Sequence, residues 1–271
     1  MSRPGRHELQ VLLAHARMAM ATELQYRSNA WVYLVNTSLT LFTSLASVAL
    51  VYRHVDAING WSSADLYVVV GVFFALGAVV NGIVHLSMSK LVSDIRTGDF
   101  DYRLLRPVDA QVVALGQAPD PWRVFDVLAG IGLVTYGIGH GDGFAQVTGG
   151  ALGAALAAVG MFACGIAITA GFWALLACIT FWTIQGEGIL WALDDMYDHL
   201  RWPISIFPGG LRIALSTIFP AGLAVTVPAQ ALTGRLDPSG ALAAIGVAVA
   251  FSCAARIVWH RAVRRYDGAS A

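Results

Sequence analysis

The chain has 271 residues, 57% of them hydrophobic and only 13% charged, with seventeen basic residues balancing seventeen acidic ones. A soluble domain carries about 25% charge and about 45–50% apolar residues, so this composition leaves too little polar surface to coat a water-soluble body. The zero net charge also argues against a nucleic-acid partner, and the apolar surplus points to lipid.

Taken in chain order, residues 6–29 read as an amphipathic helix lying in the membrane interface. Leu9, Leu12, Leu13, Ala16, Met20 and Leu24 recur at helical spacing, while Arg6, Arg17 and Arg27 reach for headgroups. His15 and Arg17 interrupt the apolar run too early for a secretory signal. Residues 31–52, 66–88 and 122–139 are each candidate spans, since a crossing helix needs about 20 apolar residues. The first carries Asn36, Thr40, Thr43, Ser44 and Ser47 along one stripe suited to helix packing. In the second, Asn81 and His85 stand at i, i+4 and are expected to bond each other.

Between the second and third spans lies a charged loop, residues 89–121. Asp94, Arg96, Asp99, Asp101, Arg103 and Arg106 alternate in sign, as expected of a solvated, structured surface. Leu91, Val92 and Ile95 mark one side of a short helix that Gly98 stops by a left-handed cap, and Arg106-Pro107 ends the next turn. Residues 147–184 carry no charge and are read as one long helix in preference to two meeting near Gly171, because an uncharged turn would expose unpaired backbone to lipid. A polar fifth helix, Gln185–Trp202, holds Glu187, Asp194, Asp195, Asp198 and His199. Charges at mid-membrane cost about 2.5–3.5 kcal/mol each, so these are expected to line a translocation path or a subunit seam. Residues 203–238 are broken by proline and glycine into apolar pieces too short to cross, as in external re-entrant or interfacial helices packed against protein, and 239–260 form the last span.

With six crossings and both termini in the cytoplasm, thirteen of the seventeen basic residues fall on the inner side. The expected fold is thus an all-α integral membrane bundle: one transmembrane domain over residues 1–271, with an elbow helix, six spans, and re-entrant helices between the fifth and sixth. Cys164, Cys178 and Cys253 lie in apolar stretches without metal-ligand spacing and read as buried hydrophobes.

Four stretches in order carry a family resemblance. They are Ile95-Arg96-Thr97-Gly98-Asp99-Phe100-Asp101 with Leu104-Leu105-Arg106-Pro107, then Phe181-Trp182-Thr183, then Trp202-Pro203-Ile204-Ser205-Ile206-Phe207-Pro208 leading into Leu211-Arg212, and finally Arg264-Arg265-Tyr266. Together they resemble the type-2 ABC transporter permeases, most nearly the subgroup with two distinct permease subunits. The resemblance implies an ATP-driven exporter of the bacterial inner membrane. This chain would be its permease, joined by a second permease, identical or paralogous, and by two cytosolic ATPases. Asp94, Arg96, Gly98, Asp99, Asp101, Arg103, Arg106 and Pro107 would form the ATPase-coupling segment. No G-x-x-x-x-G-K-[ST] loop occurs, so catalysis is not expected here, and ATP and Mg would be bound by the partner ATPase. The alternative from another class is an ion- or proton-coupled secondary transporter using the acidic fifth helix, against which stands the lack of an inverted repeat.

Overall fold

The structure is a computed structural model, and it describes residues 4–105, 109–116, 119–141, 150–182, 202–203, 206, 208–210 and 220–266. These residues are helical throughout, apart from turns and one isolated bridge between Ile58 and Trp61. In order they form α1 (Pro4–Glu23), α2 (Arg27–Tyr52), α3 (Ser63–Val79), a π-helical turn (Val80–His85), α4 (Leu86–Thr97), α5 (Phe100–Leu104) and α6 (Ala110–Leu115). A 3-10 turn (Pro121–Arg123) then leads to α7 (Val124–His140), α8 (Gly150–Ile179), α9 (Ala221–Leu232) and α10 (Pro238–Arg264). The helices make a multi-pass membrane bundle. Four runs are long and apolar enough to cross a bilayer: Ser28–Tyr52, Ser63–Thr97, Leu152–Ile179 and Pro238–Arg264. α7, with 17 residues, stands at the short edge of the spanning range.

α3 is the axis of the fold. Leu66, Leu76 and Val80 on this run are fully buried, and a capping box between Ser62 and Asp65 starts it. It packs on α7 through small residues at seven-residue spacing, Ala64 and Gly71 facing Gly130 and Gly137. A β-carbon on Gly71 would lie 2.7 Å from the Gly130 carbonyl oxygen, and one on Gly137 would lie 2.7 Å from that of Ala64. Only backbones without side chains between them come this close, which is how helices gain contact where water supplies no drive. α8 packs in turn on α9, with Gly165 against Ala224, and on α10, with Gly171 against Phe251.

One expectation holds and several are adjusted. The 147–184 stretch is one helix over Gly150–Ile179, and Gly171 sits inside it as a packing position, with no turn there. The second span does not stop at residue 88. Helix continues from Ser63 to Thr97, about 50 Å at 1.5 Å per residue, so it projects beyond the hydrocarbon. The first helix is shorter than the residues 6–29 expected for an elbow: turns at Leu24 and Gln25 end α1, and Arg27 opens α2. The hydroxyl stripe of α2 bonds back onto its own helix. Thr43 and Ser44 donate to the Thr40 carbonyl and Ser47 to that of Thr43. Cys178 is buried as expected, but Cys253 faces outward on α10. The stretch expected to form the polar fifth helix, apart from Trp202, and the residues at 211–219 lie outside the described residues; within the stretch expected to be re-entrant stands α9, 12 residues with Pro228 inside.

Candidate functional site

The charged segment after the π turn is seated in the bundle by one aromatic residue. α4 stops at Gly98, whose φ of +82° is the left-handed conformation that glycine adopts without strain. The Thr97 hydroxyl donates to Asp99 Oδ2 at 2.9 Å across this stop, and α5 begins. The reversal turns Phe100 inward, where it is fully buried. Its ring meets Phe181 at 5.4 Å, Trp259 at 6.0 Å and Tyr266 at 5.4 Å between centroids, each nearly perpendicular. Phe181 also touches Trp259 at 6.0 Å and Tyr266 at 5.7 Å. Edge-to-face pairs add about 0.5–1.5 kcal/mol each beyond the area they bury. Four rings from four places, α5, the end of α8, and the last turn and tail of α10, thus close into one joint.

Ion pairs fix the segment on either side of the joint. Arg103 on α5 donates to Asp94 on α4, folding the two short helices together. Asp109 caps α6 by accepting the Gln111 N–H at 3.0 Å. Arg256 of α10 donates from Nη1 to Asp109 Oδ1 at 3.0 Å and to Gln111 Oε1 at 2.8 Å, and from Nη2 to Asp109 Oδ2 at 2.5 Å. That two-pronged guanidinium holds the Asp109 carboxyl below the usual carboxylate range. At the tail, burial first and then the neighbouring Asp101 carboxylate push the Tyr266 phenol up to about 12.

The expected coupling residues therefore separate into two groups. Arg96 and Asp99 are exposed, and Asp101 and Arg103 half-exposed. Asp94 corrects the expectation of a wholly solvated charge array: it is buried and paired to Arg103, because the α4–α5 reversal folds one helix over the other. Gly98 stands where its cap was expected, while Arg106 and Pro107 lie outside the described residues. So do Glu187, Asp194, Asp195, Asp198 and His199 of the expected fifth helix. Facing outward beside these charges are Tyr102, 71% exposed, and Leu105, 80% exposed. A segment clamped by its inner side and offering charged and apolar groups on its outer side can pass a push from a docked body to the ends of α8 and α10.

Sequence reasoning missed the joint itself. Phe100, Phe181 and Tyr266 stand within three of the recognisable stretches, yet their mutual contact is set by tertiary packing that no local spacing reveals. A second missed cluster sits near the start of α7. There the Thr37 hydroxyl of α2 donates to Asp126 Oδ1 at 2.5 Å, and Arg123 Nη1 donates to Asp126 Oδ2 at 3.1 Å. The Arg123 guanidinium lies 5.5 Å from the Tyr33 ring centre. At the opposite end of α3, Arg235 reaches Asp65 at 2.8 Å and covers the Trp61 ring, pinning the α9–α10 turn to α3.

Residues 38–270 match the family model described as ABC-2 family transporter protein. The comparison with curated proteins gives no match.

Proposed function

Because the chain belongs to the ABC-2 family of transporter membrane proteins, we propose that it is the permease subunit of an ATP-driven exporter, driven through α4 and α5 by a separate cytosolic ATPase. The observation that carries this reading is the Phe100 joint: a charged, outward-facing segment is anchored rigidly to the inner ends of two long helices. Two ATPase copies would bind ATP and Mg and close on each other, pressing on the segment around Arg96–Leu105. Since Phe100 is wedged among Phe181, Trp259 and Tyr266, that push reaches α8 and α10 together. By the reciprocity of coupled sites, cargo in the bundle would alter nucleotide affinity in return.

The same reading supplies the remaining parts. α1 is the interfacial elbow, α7 the third span, and the acidic helix at 185–202 the fifth, giving six crossings with both termini on the cytoplasmic side of a bacterial inner membrane. α9, too short at 12 residues to cross and interrupted by Pro228, belongs to the external re-entrant segment at 203–238. A second permease, identical or of the co-encoded type, completes the pathway, with Glu187, Asp194, Asp195, Asp198 and His199 on the cargo path or the subunit seam.

The test is purification of the chain from its native membranes in mild detergent, followed by reconstitution. An accompanying ATPase with a phosphate-loop motif, and cargo movement that requires ATP hydrolysis, are the expected results. Cargo movement driven by a pH gradient alone, with no ATPase retained, would favour secondary transport and overturn the proposal.

A further inference from the structure

The helix that carries the coupling segment is broken in register once, at the π-helical turn Val80–His85. In an α-helix the Leu86 N–H would bond to the Gly82 carbonyl; here it bonds to that of Ile83. The Gly82 carbonyl instead accepts the backbone N–H of Asp120, at 2.7 Å. Asp120 belongs to the far end of the charged loop, next to the 3-10 turn that opens α7. The approach is possible because residue 82 is glycine: a β-carbon there would lie 2.8 Å from Arg123 Cγ. Polar groups are also orphaned here, with Asn81 Oδ1 inside the turn and Ser89 Oγ one helical turn beyond it buried without a hydrogen-bond partner. The expected Asn81–His85 bond is accordingly not made through Asn81 Oδ1, since the wider turn abolishes the i, i+4 register on which it depended.

We infer that the Val80–His85 turn is a register switch, held in the π form by the Asp120 N–H and released to the α form when residues 119–123 withdraw. This rests on the coupling role given to α4 and α5. Once the Asp120 N–H leaves, the Gly82 carbonyl has the Leu86 N–H as its nearest helical partner. Restoring that bond removes one residue from the bulge. The following helix then turns by about 100° and advances by about 1.5 Å relative to α3. The loop that receives the push therefore also holds the catch, because its two ends are α4 and Asp120. π turns recur at functional positions, and this one holds one residue of slack in an otherwise stiff rod.

The experiment measures the distance between spin labels on Ser93→Cys of α4 and Thr135→Cys of α7, both exposed, with Cys164, Cys178 and Cys253 replaced by alanine. The whole chain is used in lipid nanodiscs, first alone and then with its ATPase. Gly82→Ala wedges the catch apart and is expected to shift the distance by roughly 5 Å or more, as a 100° turn of α4 requires. Ile83→Ala, in the same turn but pointing outward, leaves the distance as in the unmodified chain. Deletion of Ile83 removes the slack and is expected to hold the unmodified distance in every nucleotide state. An unchanged distance in Gly82→Ala, or a nucleotide-dependent shift that survives deletion of Ile83, overturns the switch. If Gly82→Ala does not fold, the deletion decides alone. A shift seen with Gly82→Ala but reproduced by no ATPase or nucleotide state supports the switch and counts against the coupling reading.

Discussion

At the scale of single residues, Phe100 carries the greatest consequence. It is the one aromatic side chain by which the charged segment enters the core, and truncating a buried phenylalanine costs about 3–5 kcal/mol. Phe100→Ala is expected to lower the thermal midpoint of the purified chain and to separate ATP hydrolysis from cargo movement. Phe100→Leu, which keeps volume but loses the perpendicular ring contacts, should recover most of the stability and less of the coupling. Thermal unfolding and transport per ATP, measured on the same two variants, check this. Asp109 gives a second prediction. Its pKa is held down by Arg256, so the contact is complete above the ordinary carboxylate pKa and is lost as pH falls through Asp109's own lower value. Asp109→Asn should therefore flatten the acid limb of a stability–pH profile while leaving the neutral region of nearly constant slope. Side chains such as these were only half legible in the sequence. The Gly98 stop followed from glycine's freedom at positive φ, whereas the burial of Asp94 could not be read, because an alternating charge pattern looks the same whether or not one member folds under its neighbour.

At the scale of helices, length and apolarity identified what is local and failed on what is shared. α2, α8 and α10 emerged from hydropathy because each is a continuous apolar run, and the choice of one helix over two for the 147–184 stretch followed from the cost of bare backbone in lipid. The sequence did not reveal that the second span runs on into the charged segment as a single 35-residue helix, since composition changes sharply at Lys90 while the backbone does not. Nor did it reveal the glycine seam between α3 and α7, whose register depends on both helices at once. That seam predicts a steep steric response. A β-carbon at Gly130 would fall 2.7 Å from the Gly71 carbonyl oxygen, so Gly130→Val should force the pair apart and lose about 1–3 kcal/mol. Gly132→Val, two residues away with open space around it, should be tolerated. Detergent-resistant fluorescence size-exclusion profiles of the two variants distinguish these outcomes.

Viewed as a whole molecule, the bundle is held at both of its ends. The Phe100 joint with Asp109–Arg256 ties α5, α6, α8 and α10 together, and Asp65–Arg235 ties α3 to the α9–α10 turn. Between them runs the long helix of residues 63–97 with its single π turn. A rod fixed to packed partners at both ends transmits displacement, as the proposed drive by a partner ATPase requires. The family and the membrane class were legible from composition and four short stretches; the aromatic joint on which the proposed coupling rests was not, because its rings come from distant parts of the chain. The most direct measurement is retention of the cognate ATPase on the reconstituted chain when the outward face of α5 is altered without touching its buried side. Tyr102→Ala with Leu105→Asp, both exposed and outside the aromatic joint, should release the ATPase and abolish ATP-dependent transport while the thermal midpoint stays unchanged. Full ATPase retention and undiminished transport in that double variant would contradict entry of force through this segment.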